Sequence, residues 1–116
     1  MQYAYTAQAS FDATHKSWFP PRCEELHGHR FTLSATAMFE EMDNGVPRGV
    51  VGIEKALDLL ALEFDHKRLD DMLPGEVDTL NRMAAYFWER LAAQFATLYE
   101  VKVADGKAGC GAIRKI

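Results

Sequence analysis

The chain predicts an α+β fold: an antiparallel four-stranded sheet, in the order strand–strand–helix–helix–strand–strand, with two helices on one face. Three observations carry this expectation. Both ends of the sequence alternate apolar and polar residues, the signature of half-buried strands. The middle repeats apolar residues at helical spacing, the signature of amphipathic helices. Each element therefore has one apolar side, and a sheet face covered by two helix stripes buries all of them together.

Residues 2–11 set Tyr3, Tyr5, Ala7, Ala9 and Phe11 against Ala4, Thr6, Gln8 and Ser10, a first strand. Residues 12–28, with Pro20 and Pro21, read as a long loop. A second strand follows, with His29, Phe31, Leu33, Ala35, Ala37 and Phe39 on one side and Arg30, Thr32, Ser34, Thr36 and Met38 on the other. Asp43 to Gly49 is turn-rich. From Ile53 the period changes: Ile53, Leu57, Leu60 and Phe64 form one helical stripe, with Ala56 and Ala61 beside it. Residues 68–78 read as irregular, around Pro74 and Gly75. Thr79 is placed to cap the second helix, whose stripe is Leu80, Met83, Ala84, Phe87, Trp88, Leu91 and Phe95. Residues 98–104 and 111–116 read as two strands about an Asp105–Gly106 turn. Four strands leave two open edges, which invite pairing with other copies of the chain.

With 116 residues, the chain is expected to form one domain over 1–116. It is 48% hydrophobic and 26% charged, which excludes a disordered or collagen-like chain. No apolar run is long enough for a membrane span. The formal charge of −4 and the absence of a Lys/Arg cluster argue against nucleic acid as a partner. The N-terminus lacks the basic and apolar regions of a signal peptide. Two cysteines, Cys23 and Cys110, read as free thiols of a reducing, cytoplasmic protein, with a disulfide between them as the alternative.

The four histidines are His15, His27, His29 and His66. His27 and His29 flank one glycine, so a strand beginning there points both imidazoles to one side. His15 stands beside the first strand and reaches the same point if the two strands pair. Three imidazoles suit a zinc ion with one position left open, as a catalytic zinc requires. The bland alternative is a His-Gly-His turn on the polar surface. Cys23, four residues before His27, offers a thiolate base or nucleophile near a metal, or else a small half-buried residue. Adjacent Asp65 and His66 make an acid/base dyad, or else a solvated helix end.

The segments FDATH (11–15), CEELHGH (23–29), GVV (49–51), FDH (64–66), the helix start at Thr79 and VKVADGKAGC (101–110) go beyond spacing. Together they resemble the 6-pyruvoyltetrahydropterin synthase and 6-carboxytetrahydropterin synthase family, nearly end to end. The resemblance implies the tunnelling fold, trimers that close a barrel and commonly pair into hexamers, and active sites between subunits. It implies zinc on His15, His27 and His29, a catalytic Cys23, and an acid/base pair of Asp65 and His66. It also implies 7,8-dihydroneopterin triphosphate as substrate. The short Cys-x-x-x-His-Gly-His spacing is similar to the branch that makes 6-carboxytetrahydropterin for the deazapurine (queuosine) route, with loss of acetaldehyde and triphosphate.

Three positions depart from the family pattern. Asp105 stands where a glutamate usually grips the pterin ring, and Gly52 where an Asp is common. Asp78-Thr79-Leu80-Asn81-Arg82 replaces the usual Pro-Thr-x-Glu-Asn. Asp105 and Thr79 remain the expected pterin-binding residues. The metal and proton-transfer sets match, while the ring-anchoring set is altered. Other readings are a synthase giving 6-pyruvoyltetrahydropterin, a retro-aldol enzyme giving 6-hydroxymethyl-dihydropterin, a non-catalytic pterin or purine binder, and a structural zinc protein closed by Cys23.

Overall fold

The computed structural model describes residues 2–15, 27–43, 45–47, 50–106 and 109–116. Two 13-residue strands, β1 (Tyr3–His15) and β2 (His27–Phe39), pair antiparallel without a break, from Tyr3 opposite Phe39 to His15 opposite His27. A small hairpin follows, β3 (Met42–Asp43) against β4 (Val46–Pro47). Next come α1 (Ile53–Phe64), β5 (Lys67–Arg68), the single turn α2 (Leu69–Met72) and α3 (Leu80–Ala92). The chain closes with β6 (Leu98–Ala104) and β7 (Cys110–Arg114). The main sheet has the order β5-β1-β2-β6-β7, antiparallel except where β5 runs parallel to β1.

Alternation decides which face is buried. Phe11, Ala13, Phe31, Leu33, Ala35, Ala37, Val101 and Val103 lie under the helices. The buried stripe of α1 is Ile53, Leu57, Leu60, Ala61 and Phe64, and that of α3 is Met83, Ala84, Phe87 and Leu91. Sheet and helices meet in an aromatic cluster. Phe11 stacks on Phe31 at 5.4 Å between ring centres, and Phe64 meets Phe87 edge-on at 5.3 Å. Such pairs add about 0.5–1.5 kcal/mol beyond their area. The opposite face is polar: Thr6 and Thr36 hydroxyls bond across β1 and β2 at 2.8 Å, and Ser10 and Thr32 at 3.3 Å.

The expected α+β layout, with both helices on one face, is present. The sheet differs in extent. Residues 12–15 and 27–28, expected as loop, continue β1 and β2. The residues expected to be irregular include α2, and β5 adds a fifth strand just before it. A two-residue strand has no periodicity to read. What makes it a strand is the free edge of β1, where Lys67 pairs with Ala13 and Arg68 with Thr14.

Two helix starts are set by single residues. Thr79 caps α3 as expected, its Oγ1 accepting from the Arg82 backbone N–H at 3.1 Å. A cap of this kind contributes about 1 kcal/mol. Gly52 precedes α1 at φ 91°, a left-handed conformation that a side chain makes costly.

The start of α3 rests on β7 at Gly111. A Cβ there would lie 2.3 Å from the Asn81 backbone nitrogen and 2.4 Å from the Leu80 carbonyl carbon. Neither backbone atom can move without shifting the helix. Gly111→Ala is therefore expected to destabilise the fold by about 1–3 kcal/mol or more. An unchanged urea midpoint in that variant would contradict this close approach.

Candidate active site

His15 ends β1, and the register sets His27 opposite it at the start of β2. Strand alternation assigns His15 and His29 to the helix-covered face. His15 is 2% exposed, and both its ring nitrogens are shielded from solvent. The His29 ring centre lies 4.9 Å from that of His15, at an interplanar angle of 39°. Phe31 stands edge-on to both rings, at 5.9 Å and 5.7 Å, and fixes the floor beneath them. Two imidazoles on one tetrahedral ion, with metal–nitrogen bonds of ~2.0–2.1 Å, place their ring centres about 5 Å apart. The His15–His29 pair fits that requirement, and the donor chemistry is all imidazole, which suits zinc.

Asp65 and His66 follow α1 and dock on the outer edge of β1. The Asp12 backbone N–H donates to Asp65 Oδ1 at 2.8 Å, and the His66 backbone N–H donates to the Asp12 carbonyl at 2.6 Å. Asp65 Oδ2 lies 2.9 Å from His66 Nδ1. The Asp12 N–H bond, above all, holds the Asp65 carboxyl below its usual value, and the His66 contact adds to this. His66 has φ 57°, a left-handed conformation that histidine adopts more readily than most residues. Its side chain is 80% exposed, so the ring projects from the backbone that anchors it.

A cavity of about 730 Å³ opens beside these groups. His29 and His66 both line it, together with Asp12, Arg30, Lys67 and Arg68. The Arg30 guanidinium grips Asp12 with both arms, Nε to Oδ1 at 3.0 Å and Nη2 to Oδ2 at 3.2 Å. Donor atoms of Asp12, Asp65 and His66 lie within 4.8 Å of one another. Their oxygens already accept from Arg30, the Asp12 N–H and His66, so this cluster reads as a hydrogen-bonded network rather than a cation cage. The Asp12–Arg30 pair carries no signature in its residue types. Its signal was available: with His15 opposite His27, Asp12 must face Arg30.

The remaining expected residues are placed as follows. Cys23 lies outside the described residues. Asp105 follows β6 beyond Ala104, which pairs with Thr32, and so stands towards the His29 end of β2. Neighbouring Gly106 approaches the Arg30 carbonyl, 3.4 Å from where its Cβ would be. Thr79 caps α3 over the β7 edge, across the sheet from β5. Among the described residues that line the cavity, neither Asp105 nor Thr79 occurs. Cys110 is an exposed free thiol on β7.

The network makes a prediction about acid stability. Arg30 holds the Asp12 carboxyl below its ordinary 3.8, chiefly by hydrogen bonding, and Asp65 is lowered likewise by the Asp12 N–H. A carboxyl lowered on folding stabilises above its unfolded pKa of about 3.9, and that contribution is lost as pH falls through the folded value. Stability against urea is therefore expected to hold from pH 6 to about 5 and to fall below about pH 4. Asp65→Asn should show a shallower acid decline; an identical one would contradict the role of these bonds.

Comparison with known proteins agrees with this architecture. A family model described as 6-pyruvoyl tetrahydropterin synthase matches residues 4–115. The chain belongs to that family, and its sheet-and-helix layout is the family's tunnelling fold. The 6-pyruvoyl tetrahydropterin synthase of Caenorhabditis elegans superposes with a TM-score of 0.82 at 18% identity, covering 100% of this chain and 97% of that one. An uncharacterized protein from Wolinella succinogenes gives 0.79 at 12% identity, covering 100% and 99%. The 6-pyruvoyltetrahydropterin synthase of Plasmodium vivax gives 0.76 at 13% identity, covering 99% and 98%. No curated protein matches the sequence. No described helix is long and apolar enough to cross a membrane.

Proposed function

We propose that this chain is a zinc-dependent lyase converting 7,8-dihydroneopterin triphosphate to 6-carboxytetrahydropterin, the deazapurine-route reaction. One observation carries the reading: His29 of the imidazole set and His66 of the dyad line the same cavity. At about 730 Å³ its volume suits a small-molecule substrate. Family membership and the short Cys23-to-His27 spacing support the pterin substrate and this branch of the chemistry.

His15, His27 and His29 are the residues that would hold the ion. Zinc bound there supplies Lewis-acid polarisation of the substrate's side-chain hydroxyls. Cys23, as thiolate, takes a proton from the substrate side chain. His66 exchanges the second proton. Asp65 occupies Nδ1, so Nε2 is the nitrogen available to substrate, and the carboxylate stabilises the imidazolium when it forms. Asp105, with help from Thr79, holds the amino-pyrimidine edge of the pterin. Thr79 stands at the β7 edge and the cavity at the β5–β1 edge, so edge-to-edge association of copies, as a trimer or hexamer, brings the two together.

The test is incubation of zinc-loaded protein with 7,8-dihydroneopterin triphosphate and identification of every product by mass spectrometry. The expected products are 6-carboxytetrahydropterin, acetaldehyde and triphosphate. A 6-pyruvoyl product would move the chain to the other synthase activity. Binding without triphosphate release would overturn the lyase reading.

A further inference from the structure

The His66 side chain is 80% exposed, so packing does little to hold its ring, and neighbouring charges decide its protonation state. Two carboxylates approach that ring. Asp65 is one, with Oδ2 2.9 Å from Nδ1. Asp12 is the other: one donor atom each of Asp12, Asp65 and His66 lie within 4.8 Å of one another. Asp12 also carries the dyad on its backbone. Its N–H donates to Asp65 Oδ1 at 2.8 Å, and its carbonyl accepts from the His66 N–H at 2.6 Å. A single residue of β1 therefore anchors both members of the dyad and adds a second negative charge near the ring.

That second charge is itself countered. Arg30, opposite Asp12 on β2, engages both carboxylate oxygens, at 3.0 Å and 3.2 Å. The coupling reaches across the group. The Asp12 carboxyl is held below its ordinary value by the Arg30 hydrogen bond above all, and the His66 charge adds to this. The Arg30 guanidinium is raised by the Asp12 hydrogen bond above all, and the Asp65 charge adds. The other titratable or charged groups on the same cavity are His29 of β2 and Lys67 and Arg68 of β5, with Arg68 engaged by Asp70 at 3.4 Å. When His66 is protonated, Asp65, His66, Asp12 and Arg30 alternate in sign. Two unopposed carboxylates would hold the ring as imidazolium, and a group that must both take and give a proton works best when neither form dominates.

We propose that Asp12 and Arg30 are positioning residues of the dyad: the Asp12 carboxylate favours the protonated His66 ring, and the Arg30 guanidinium offsets that pull, so that the ring both accepts and releases a proton. The charge coupling rests on the geometry of β1, β2 and the dyad. Its use in proton transfer rests on the function proposed above. The signs are opposite for the two residues. Removing the Asp12 charge costs the imidazolium a partner and leaves Arg30 to repel it. Removing the Arg30 charge gives the imidazolium the whole of the Asp12 carboxylate.

The experiment is a pH titration, followed by NMR, of full-length protein with isotope-labelled histidine rings, equilibrated with zinc. His66→Asn identifies the His66 resonance among those of four histidines. Asp12→Asn should lower the His66 titration midpoint by about half a pH unit, the effect of one unit charge at this range in water-rich surroundings. Arg30→Gln should raise it, and Arg30→Lys, which keeps the charge, should leave it at the wild-type value. Asparagine at position 12 keeps both backbone bonds, so a purely structural role for Asp12 predicts no movement. Circular dichroism establishes folding of each variant, and Asp12→Asn carries the test if Arg30→Gln does not fold. Coincident midpoints in wild type and folded Asp12→Asn, or shifts of the same sign in Asp12→Asn and Arg30→Gln, would overturn the coupling. In the reaction, the limb of the kcat/KM profile set by His66 should move with the midpoint. The expected shifts without conversion of the pterin triphosphate would leave the coupling standing and remove the proposed function. Turnover with a pH profile unmoved by either substitution would remove the pair from proton transfer.

Discussion

Cys23→Ala is expected to lower turnover of 7,8-dihydroneopterin triphosphate by roughly 10²–10⁴-fold while leaving the zinc content unchanged. The size follows from the task assigned to the thiolate. A positioned base contributes that much when it takes a proton in the transition state, and alanine offers no acceptor. The imidazole set is untouched, so the ion stays. His66, docked through Asp65 and the Asp12 backbone, keeps its place as well. The two readouts together separate the readings of this cysteine. A residue that merely fills space leaves the rate near wild type. A fourth ligand of a closed structural zinc lowers the metal content instead.

His15→Ala is expected to abolish stoichiometric zinc binding, measured by metal analysis after dialysis. Zinc needs three protein nitrogens to leave one open position, and two imidazoles hold it far less tightly. The same substitution empties a buried site: His15 is 2% exposed and packs at 4.9 Å from His29 and 5.9 Å from Phe31. A loss of fold stability should therefore accompany the loss of metal. His29→Ala separates the two effects, because His29 is only half-buried and its removal leaves a smaller void. Full metal content in folded His29→Ala would remove that residue from the ligand set.

The parts of the fold that were legible in the sequence are those governed by burial. Leu33, Ala35 and Ala37 announce a strand because one side of it must be dry. Leu57, Leu60 and Phe64 announce a helix for the same reason. Thr79 announces a cap because its hydroxyl can satisfy a backbone donor. What depends on the register between distant strands was less visible. The alternation of β1 predicts a strand only as far as Phe11, yet the ladder runs to His15. β5 exists because β1 has an edge to fill, and nothing in Lys67–Arg68 alone says so.

The candidate site divides along the same line. His15, His27, His29, Asp65 and His66 are distinctive as residue types and were read directly. The ladder then brings His15 to His29, and the β1 edge receives Asp65 and His66. Asp12, Arg30, Lys67 and Arg68 are ordinary surface residues in sequence, and only the pairing of β1 with β2 and β5 gathers them. Asp105 and Thr79 do not occur among the described residues that line the cavity.

Zinc K-edge X-ray absorption on the reconstituted protein tests the centre of this account most directly. One zinc per chain is expected, with a first shell of nitrogen and oxygen at ~2.0–2.1 Å, outer-shell scattering from three imidazoles, and no sulfur. A sulfur shell at ~2.3 Å, or folded protein that takes up no zinc, would contradict it.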